Sequence, residues 1–523
     1  MEGSGSGKSA SYSIPNAYQM LGSYVFTDPK GELYDKTAGF LKSNGYDIKV
    51  LNLVNPENSD GYNPLAHVNN EIDVDVIANT IIRGQKSENG ASSDPYWDNM
   101  SEMLLKALIY YLISRGVREE ENLVSCAEMV RAANTSGGSN MLTELMNELP
   151  ANHPARINYK SIEVVAASEK TFSNVLSSLQ SKLGKFDSKE ISEVTSTDTI
   201  DFEAIGNRKT AVYVISSDTH TAYDFLLTIF FAQMIQQLYD HADKNGGRLK
   251  MPVYFILDEF ANIGKIPDFD KKISTSRSRG ISFSVILQNL DQLEAVYEKS
   301  HETIMGNCDT HVFLGSNSFK TVEYFSKALG EKTITRDSKS VNRDKHDHRQ
   351  GYSMSDQVMG RALMTPDELR RMDNDLCIIF EKGLKPVKAK KFYYFESPMA
   401  KKLAEVTLNH NDFDSGNRGV WRKFDPYNPN SGQEDVPQDI KVDSLDDLFE
   451  EGDDDETEDN TSKKEDKKSK NNRENIIDSL KDDDFDDFEL PQEEQESSTD
   501  EDIQKQLEAK FDELFGPLDD DEY

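Results

Sequence analysis

The strongest constraint on this chain is a glycine-rich loop at its start. Gly3, Ser4, Gly5, Ser6, Gly7, Lys8 and Ser9 read GSGSGKS and lead into SASYSIPNAYQML. Backbone N–H groups of such a loop cradle a β-phosphate, the lysine reaches the β- and γ-phosphates, and the serine hydroxyl ligates Mg2+. The following helix points its positive end at the anion. A loop with this role hangs from a buried β-strand, so the expected architecture is α/β. Only Met1 and Glu2 precede it, and Glu2 stands where the full pattern has its first glycine. Both departures lead us to expect a chain that starts late or a degenerate copy; a flexible Gly/Ser-rich leader is the bland alternative.

Strand and helix signals alternate over residues 1 to about 114. SYVFTD (23–28) and YDIKVLNLV (46–54) are rich in β-formers, and each follows a helical segment. That alternation predicts βαβ units and a parallel sheet. From about 115 to 200 apolar residues recur at three- and four-residue spacing, as in VSCAEMVRAA and KTFSNVLSSLQSKL, which predicts an inserted all-α domain. The alternation returns over 201–400, where AVYVIS, VYFILDEF, ISFSVILQ and THVFLG are expected to be buried strands of one sheet. Residues 401–523 form an acidic tail. The stretch DDDETEDNTSKKEDKKSKNN lacks the apolar surface to offset its ordering entropy, and we expect disorder. Small islands in the tail, LDDLF (445–449), FDDFEL (485–490) and FDELF (511–515), read either as incidental or as short docking motifs for a basic or apolar partner. In the last, Ile503, Leu507, Phe511, Leu514 and Leu518 share one helical face.

Charge sharpens this division. The net charge of −35 falls mostly on Ser431 to Tyr523, with 37 acidic and 10 basic residues, which leaves the body at −8. Any nucleic-acid contact must therefore be a local patch. Cys126, Cys308 and Cys377 are far apart and lack metal-ligand spacing, as a reducing cytoplasm predicts. The longest apolar run, around Phe225 to Ile235, is too short to span a bilayer, so the chain as written reads as soluble.

The second chemical motif is VYFILDEF. An apolar strand ends in Asp258 and Glu259, so both carboxylates emerge at the strand's C-terminal end, where parallel sheets bind ligands. Asp258 is expected in the Mg2+ shell, and Glu259 to orient or deprotonate an attacking water. ISFSVILQ ends in Gln288, whose amide can bond the γ-phosphate or that water. STSRSRG (274–280) lies between these strands, and its arginines precede the second one. They project to the edge opposite their own site, so Arg277, ahead of Arg279, is expected to reach a neighbouring subunit as an arginine finger. Sites completed in trans imply a closed ring.

GSGSGKS, TDPKGEL (27–33), NPL (63–65), KT (170–171), LDEFANIGKIPDF, SRSRG, LQ and GRALMTPDEL (360–369) occur in one order from residue 3 to about 397. The set resembles the conjugative type IV secretion coupling proteins, the TraG/TraD-like family. The resemblance implies a RecA-like P-loop nucleotide-binding domain with a mostly parallel sheet and an all-α insertion. It also implies ATP and Mg2+ as cofactors, with Lys8, Ser9, Asp258, Glu259, Gln288 and Arg277 at nucleotide-site positions. Such proteins form a homo-hexamer at the cytoplasmic face of the membrane, anchored by transmembrane helices. They recruit relaxase-bound single-stranded DNA to a type IV secretion channel and drive its transfer. Asp28 and Lys30 lie in a motif near the phosphates without an assigned role.

Three competitors remain. A chromosome-type DNA translocase ends in a basic DNA-reading domain, where this chain ends in an acidic tail. An ABC-type ATPase needs more than SGG at Ser136 to Gly138. A non-hydrolytic receptor would use the inserted helices and tail to dock relaxase or effector proteins, with ATP setting only conformation.

Overall fold

The computed structural model describes residues 7–84, 95–133, 140–166, 168–217, 223–342 and 351–431, with the backbone alone over 336–342, 351–357 and at 399. Gly3, Ser4, Gly5, Ser6 and Glu2, and the apolar islands of the tail, lie outside the described residues.

Five strands form the central sheet: β1 (Ser23–Thr27), β2 (Asp47–Asn52), β3 (Thr210–Ile215), β4 (Val253–Leu257) and β5 (Ile281–Val285), in the order β2-β3-β1-β4-β5. Every pairing is parallel, with Val25 opposite both Val212 and Phe255. Alternation along each strand divides the side chains between two cores. Val25, Val212, Val214, Phe255 and Leu257 join the larger core, and Tyr24, Phe26, Tyr213 and Ile256 the smaller. Apolar side chains are thus needed on both faces, which explains the unbroken hydrophobic runs.

The smaller core is covered by α1 (Glu32–Ser43) and by Ile14, Ala17 and Leu403. Between β2 and β3 every described element is helical, including α2 (Pro95–Ser114) and α3 (Glu169–Leu183). These helices share the larger core with α4 (Asp224–Lys244), whose Phe225, Phe230 and Ile235 are buried. Among the described residues no helix is long and apolar enough to cross a membrane.

THVFLG departs from expectation. Its strand, β6 (Thr310–Phe313), is not in the parallel sheet. A long ribbon of β7 (Glu331–Asn342) and β8 (Gly351–Ala362) follows it, then β9 (Leu376–Glu381) and β10 (Val387–Lys390). β6 pairs antiparallel with β9 in a separate sheet ordered β10-β9-β6. Only one of its faces is covered: Phe313 is buried against Val322 and Phe325, whereas Val312 is exposed. A run of four residues does not distinguish that half-covered strand from a fully buried one. The facing edges of β5 and β6 bound a cavity of about 810 Å3, with Lys8 and Gln288 among the residues lining it and Arg277, Asp309 and Lys382 among the others.

The first part of the tail packs on the body. Residues 399–405 form α5 (Met399–Glu405), and the chain then runs past the helical region. There Phe424 is buried beneath the Arg115 guanidinium, 4.6 Å from its ring centroid, and Arg422 Nε donates to Glu120 Oε1 at 3.0 Å.

Candidate nucleotide site at the carboxyl edge of the sheet

Parallel strands end together at one edge, so β1, β4 and β5 present Thr27, Asp258 and the approach to Gln288 side by side. Gly7 precedes Lys8 with φ +73°, a conformation that favours glycine. The chain then coils through a wide π turn at Ser9–Ser13 into Ile14–Ala17. Pro15 lacks the N–H that an α-ladder needs there, and the Ile14 N–H instead reaches back to the Ser9 carbonyl. Tyr12 Oη sits 2.8 Å from Ser284 Oγ, which ties this turn to the edge of β5.

Lys8 Nζ lies 3.4 Å from Glu259 Oε1, although 251 positions separate them. Both side chains are largely buried, at 15% and 20% exposure. Gln288 Nε2 donates to the same Glu259 oxygen at 2.9 Å. Asp258 is held from two sides. Its carbonyl accepts from Thr27 Oγ1 at 2.7 Å, and its Oδ1 accepts from the Glu259 N–H at 3.0 Å. The Ser9 hydroxyl lies near its carboxylate. Burial raises the Asp258 pKa above the usual carboxylate value and the neighbouring Glu259 adds to the rise, while Lys8 and the Ser9 hydroxyl pull the other way. Glu259 itself adopts φ +50°, ψ +46°, a left-handed conformation that costs about 1–2 kcal/mol outside glycine. That turn carries its carboxylate back over the sheet edge toward Lys8, and strain of this kind is retained where a site needs it.

The donor set suits a magnesium nucleotide. The Ser9 hydroxyl and the Asp258 carboxylate are hard oxygen ligands near one another. Among the described residues no cluster of three or more His, Cys, Asp or Glu could enclose a metal unaided. Mg2+ does not need one, because it keeps waters and phosphate oxygens and takes one or two protein carboxylates. Lys8 supplies the compensating cation, at present engaged by Glu259.

A family model described as "Type IV secretory system Conjugative DNA transfer" matches residues 1–415. This chain belongs to that family. Its relatives include the VirD4 protein of Rhizobium rhizogenes, 23% identical over 417 residues, covering 77% of this chain and 59% of VirD4. The conjugal transfer protein TraG of Escherichia coli is 24% identical over 441 residues, covering 77% and 67%. This chain thus spans about three-fifths of the length of VirD4. The fold is that of the conjugative coupling protein TrwBdeltaN70, with a TM-score of 0.54 at 18% identity over 76% of this chain and 84% of the other. It also matches TrwB in complex with the non-hydrolysable ATP analogue ADPNP, with a TM-score of 0.52 at 16% identity over 80% and 87%.

Other motif residues of this coupling-family chain make their contacts outside this cluster. Arg277 is at the opposite end of β5, its side chain 94% exposed and only 3.8 Å from Asp309 at closest. Arg279 is occupied within the subunit: Nε and Nη2 bind Asp243 at 3.0 and 2.8 Å, and the guanidinium covers the Tyr239 ring. Asp28 is buried and accepts the Tyr34 N–H at 2.8 Å, so it serves the start of α1, while Lys30 is exposed. Asn63 and Thr365 cap short helical turns, Thr365 through a reciprocal bond pair with Glu368. Sequence reasoning missed Tyr12, Thr27 and Tyr393. Thr27 had a signal, because it ends a strand inside TDPKGEL; Tyr12 meets Ser284, and Tyr393 meets Gly7, only through tertiary packing.

Proposed function

We propose that this chain is the ATP-hydrolysing motor of a conjugative coupling protein. It would recruit relaxase-bound single-stranded DNA to a type IV secretion channel and drive its transfer, as a homo-hexamer at the cytoplasmic face of the membrane. The observation that carries this reading is the meeting of Lys8, Ser9, Asp258, Glu259 and Gln288 at one sheet edge from three distant segments. Family membership supplies the conjugative context.

A bound ATP would supply the phosphoanhydride whose cleavage powers transfer. Lys8 would leave Glu259 for the β- and γ-phosphates, and Ser9 and Asp258 are the residues that would hold Mg2+, which would offset phosphate charge. Glu259 Oε1, released from the ammonium, then orients a water and accepts its proton. Gln288, bonded to that same oxygen, would bond the γ-phosphate or that water and so report whether hydrolysis has occurred. Arg277, exposed and weakly paired, is the residue available to a neighbouring subunit's site. Contacts to DNA would run through phosphates without base readout, so binding is expected to weaken steeply with salt.

Lys8→Ala provides the test. It should lower hydrolysis by about 10²-fold or more and abolish conjugative transfer in a mating assay, since positioning and charge stabilisation carry phosphoryl transfer. Transfer that persists without hydrolysis would leave a docking receptor in place of a motor.

A further inference from the structure

A nucleotide has two ends, and the residues at the carboxyl edge account for only one of them. Beyond β10 the chain reads Phe392, Tyr393, Tyr394 and Phe395, four aromatics in a row. The short turn Tyr394–Glu396 packs against the Ser9–Ser13 turn that follows the phosphate loop. Tyr394 anchors this segment: its ring packs against the core around Ile14 and Leu403, and Lys36 Nζ lies 5.7 Å from its centroid. Its neighbours on either side do something different. The Tyr393 and Phe395 rings stack on one another at 5.1 Å with only 12° between their planes. Tyr393 also closes on the loop itself, since a Cβ placed on Gly7 would come within 2.9 Å of its Cε1. Phe395 is 57% exposed and Phe392 53%. Single exposed apolar side chains are ordinary, but an exposed ring stacked on a half-buried one beside a phosphate loop forms a patch that calls for an occupant.

We propose that Tyr393 and Phe395 form the shelf on which the base of the bound nucleotide stacks. The inference rests on the nucleotide reading above and extends it from the phosphates to the base. Three observations select this occupant. The patch touches the loop that would hold the phosphates, so a ligand joined to them through a sugar comes to rest there. Its surface is flat and aromatic, which matches the face of a heterocycle. Glu259 and Gln288 meet Lys8 from the β4 and β5 ends, whereas the aromatic segment packs with α1 and α5, leaving the γ-phosphate and the base on different flanks. Stacking of a base on an aromatic side chain is worth about tenfold or more in affinity.

Titration calorimetry on the full chain separates the shelf from the phosphate site. The probes are Mg2+ with ATPγS, and Mg2+ with tripolyphosphate, which has no base. Phe395→Ala should weaken ATPγS binding by about tenfold and leave tripolyphosphate binding unchanged, and Phe395→Trp should restore ATPγS affinity. Because the ring is exposed, the melting temperature of either variant should stay at the wild-type value. Equal losses for both probes, or no loss for either, would overturn the shelf while leaving the phosphate site standing. Wild-type protein that binds neither probe would remove the site and the shelf together.

Discussion

Asp258 and Glu259 are adjacent and chemically alike, yet the backbone gives them separate work. Asp258 ends a regular strand and stays buried beside Ser9, whereas the left-handed turn at Glu259 sends its carboxylate to Lys8. A third carboxylate in the same region, Asp28, shows how burial alone can set protonation. Burial lifts its pKa to about 6, and the N–H groups of Tyr34 and Leu33 only partly offset this. The unfolded chain binds that proton with a pKa of about 3.9. The folded state therefore holds the proton more tightly. Its contribution to stability is fully present below about pH 4 and is lost as pH rises through about 6, on the order of 3 kcal/mol in total. Asp28→Asn cannot titrate. Comparing urea midpoints at pH 4.5 and 7.5, we expect the wild type to lose about 2 kcal/mol of stability relative to D28N; a pH-independent gap would contradict the assignment.

At the scale of elements, close packing decides outcomes that helix propensity gets wrong. Gly39 lies inside α1, where replacement of glycine by alanine ordinarily gains about 0.5–1 kcal/mol. Here an added Cβ would sit 1.8 Å from the Val406 carbonyl oxygen, in the segment that follows α5. That neighbour is backbone, hydrogen-bonded through Val406 N–H to Leu403, so it cannot swing aside. We expect Gly39→Ala to destabilise by about 1–3 kcal/mol through overpacking, seen as a lower denaturation midpoint. A raised midpoint would mean that the α1–α5 contact is loose. Most strands were legible at this scale, because a run apolar on both faces is the mark of a central parallel strand. β6 was not, because its pairing with β9 depends on chain more than 60 residues downstream.

For the whole molecule, the proposed ring raises the question of how each site would be completed. β5 has five residues, and at about 3.3 Å each it places roughly 16 Å between the start of the strand and the end that leads to Gln288. Arg277 precedes that strand, too far from its own Glu259 for a side chain to bridge. Arg277→Ala should therefore retain nucleotide binding and lose hydrolysis by about 10³-fold or more in the assembled protein. Mixing it with Lys8→Ala supplies a decisive readout. Each variant is inactive alone, but an interface that joins an intact loop to an intact arginine regains turnover, so a mixture should recover part of the wild-type rate. Mixtures as inactive as their components would exclude an arginine acting in trans.

Local pattern was enough to single out GSGSGKS as a candidate phosphate loop, the strand ending in Asp258 and Glu259, and the terminal amide of Gln288. Each is written in contiguous residues whose chemistry and periodicity survive without a fold. Local pattern could rank Arg277 above Arg279 but could not show why. Tertiary structure supplies the contrast between them, with Arg279 bound to Asp243 and Arg277 exposed. It also tied Asp28 to the start of α1, set β6 in a second sheet, and brought Tyr393 against Gly7. These results share one cause. Pairing across hundreds of residues depends on which surfaces close-pack in three dimensions, and no short-range period in the chain encodes that.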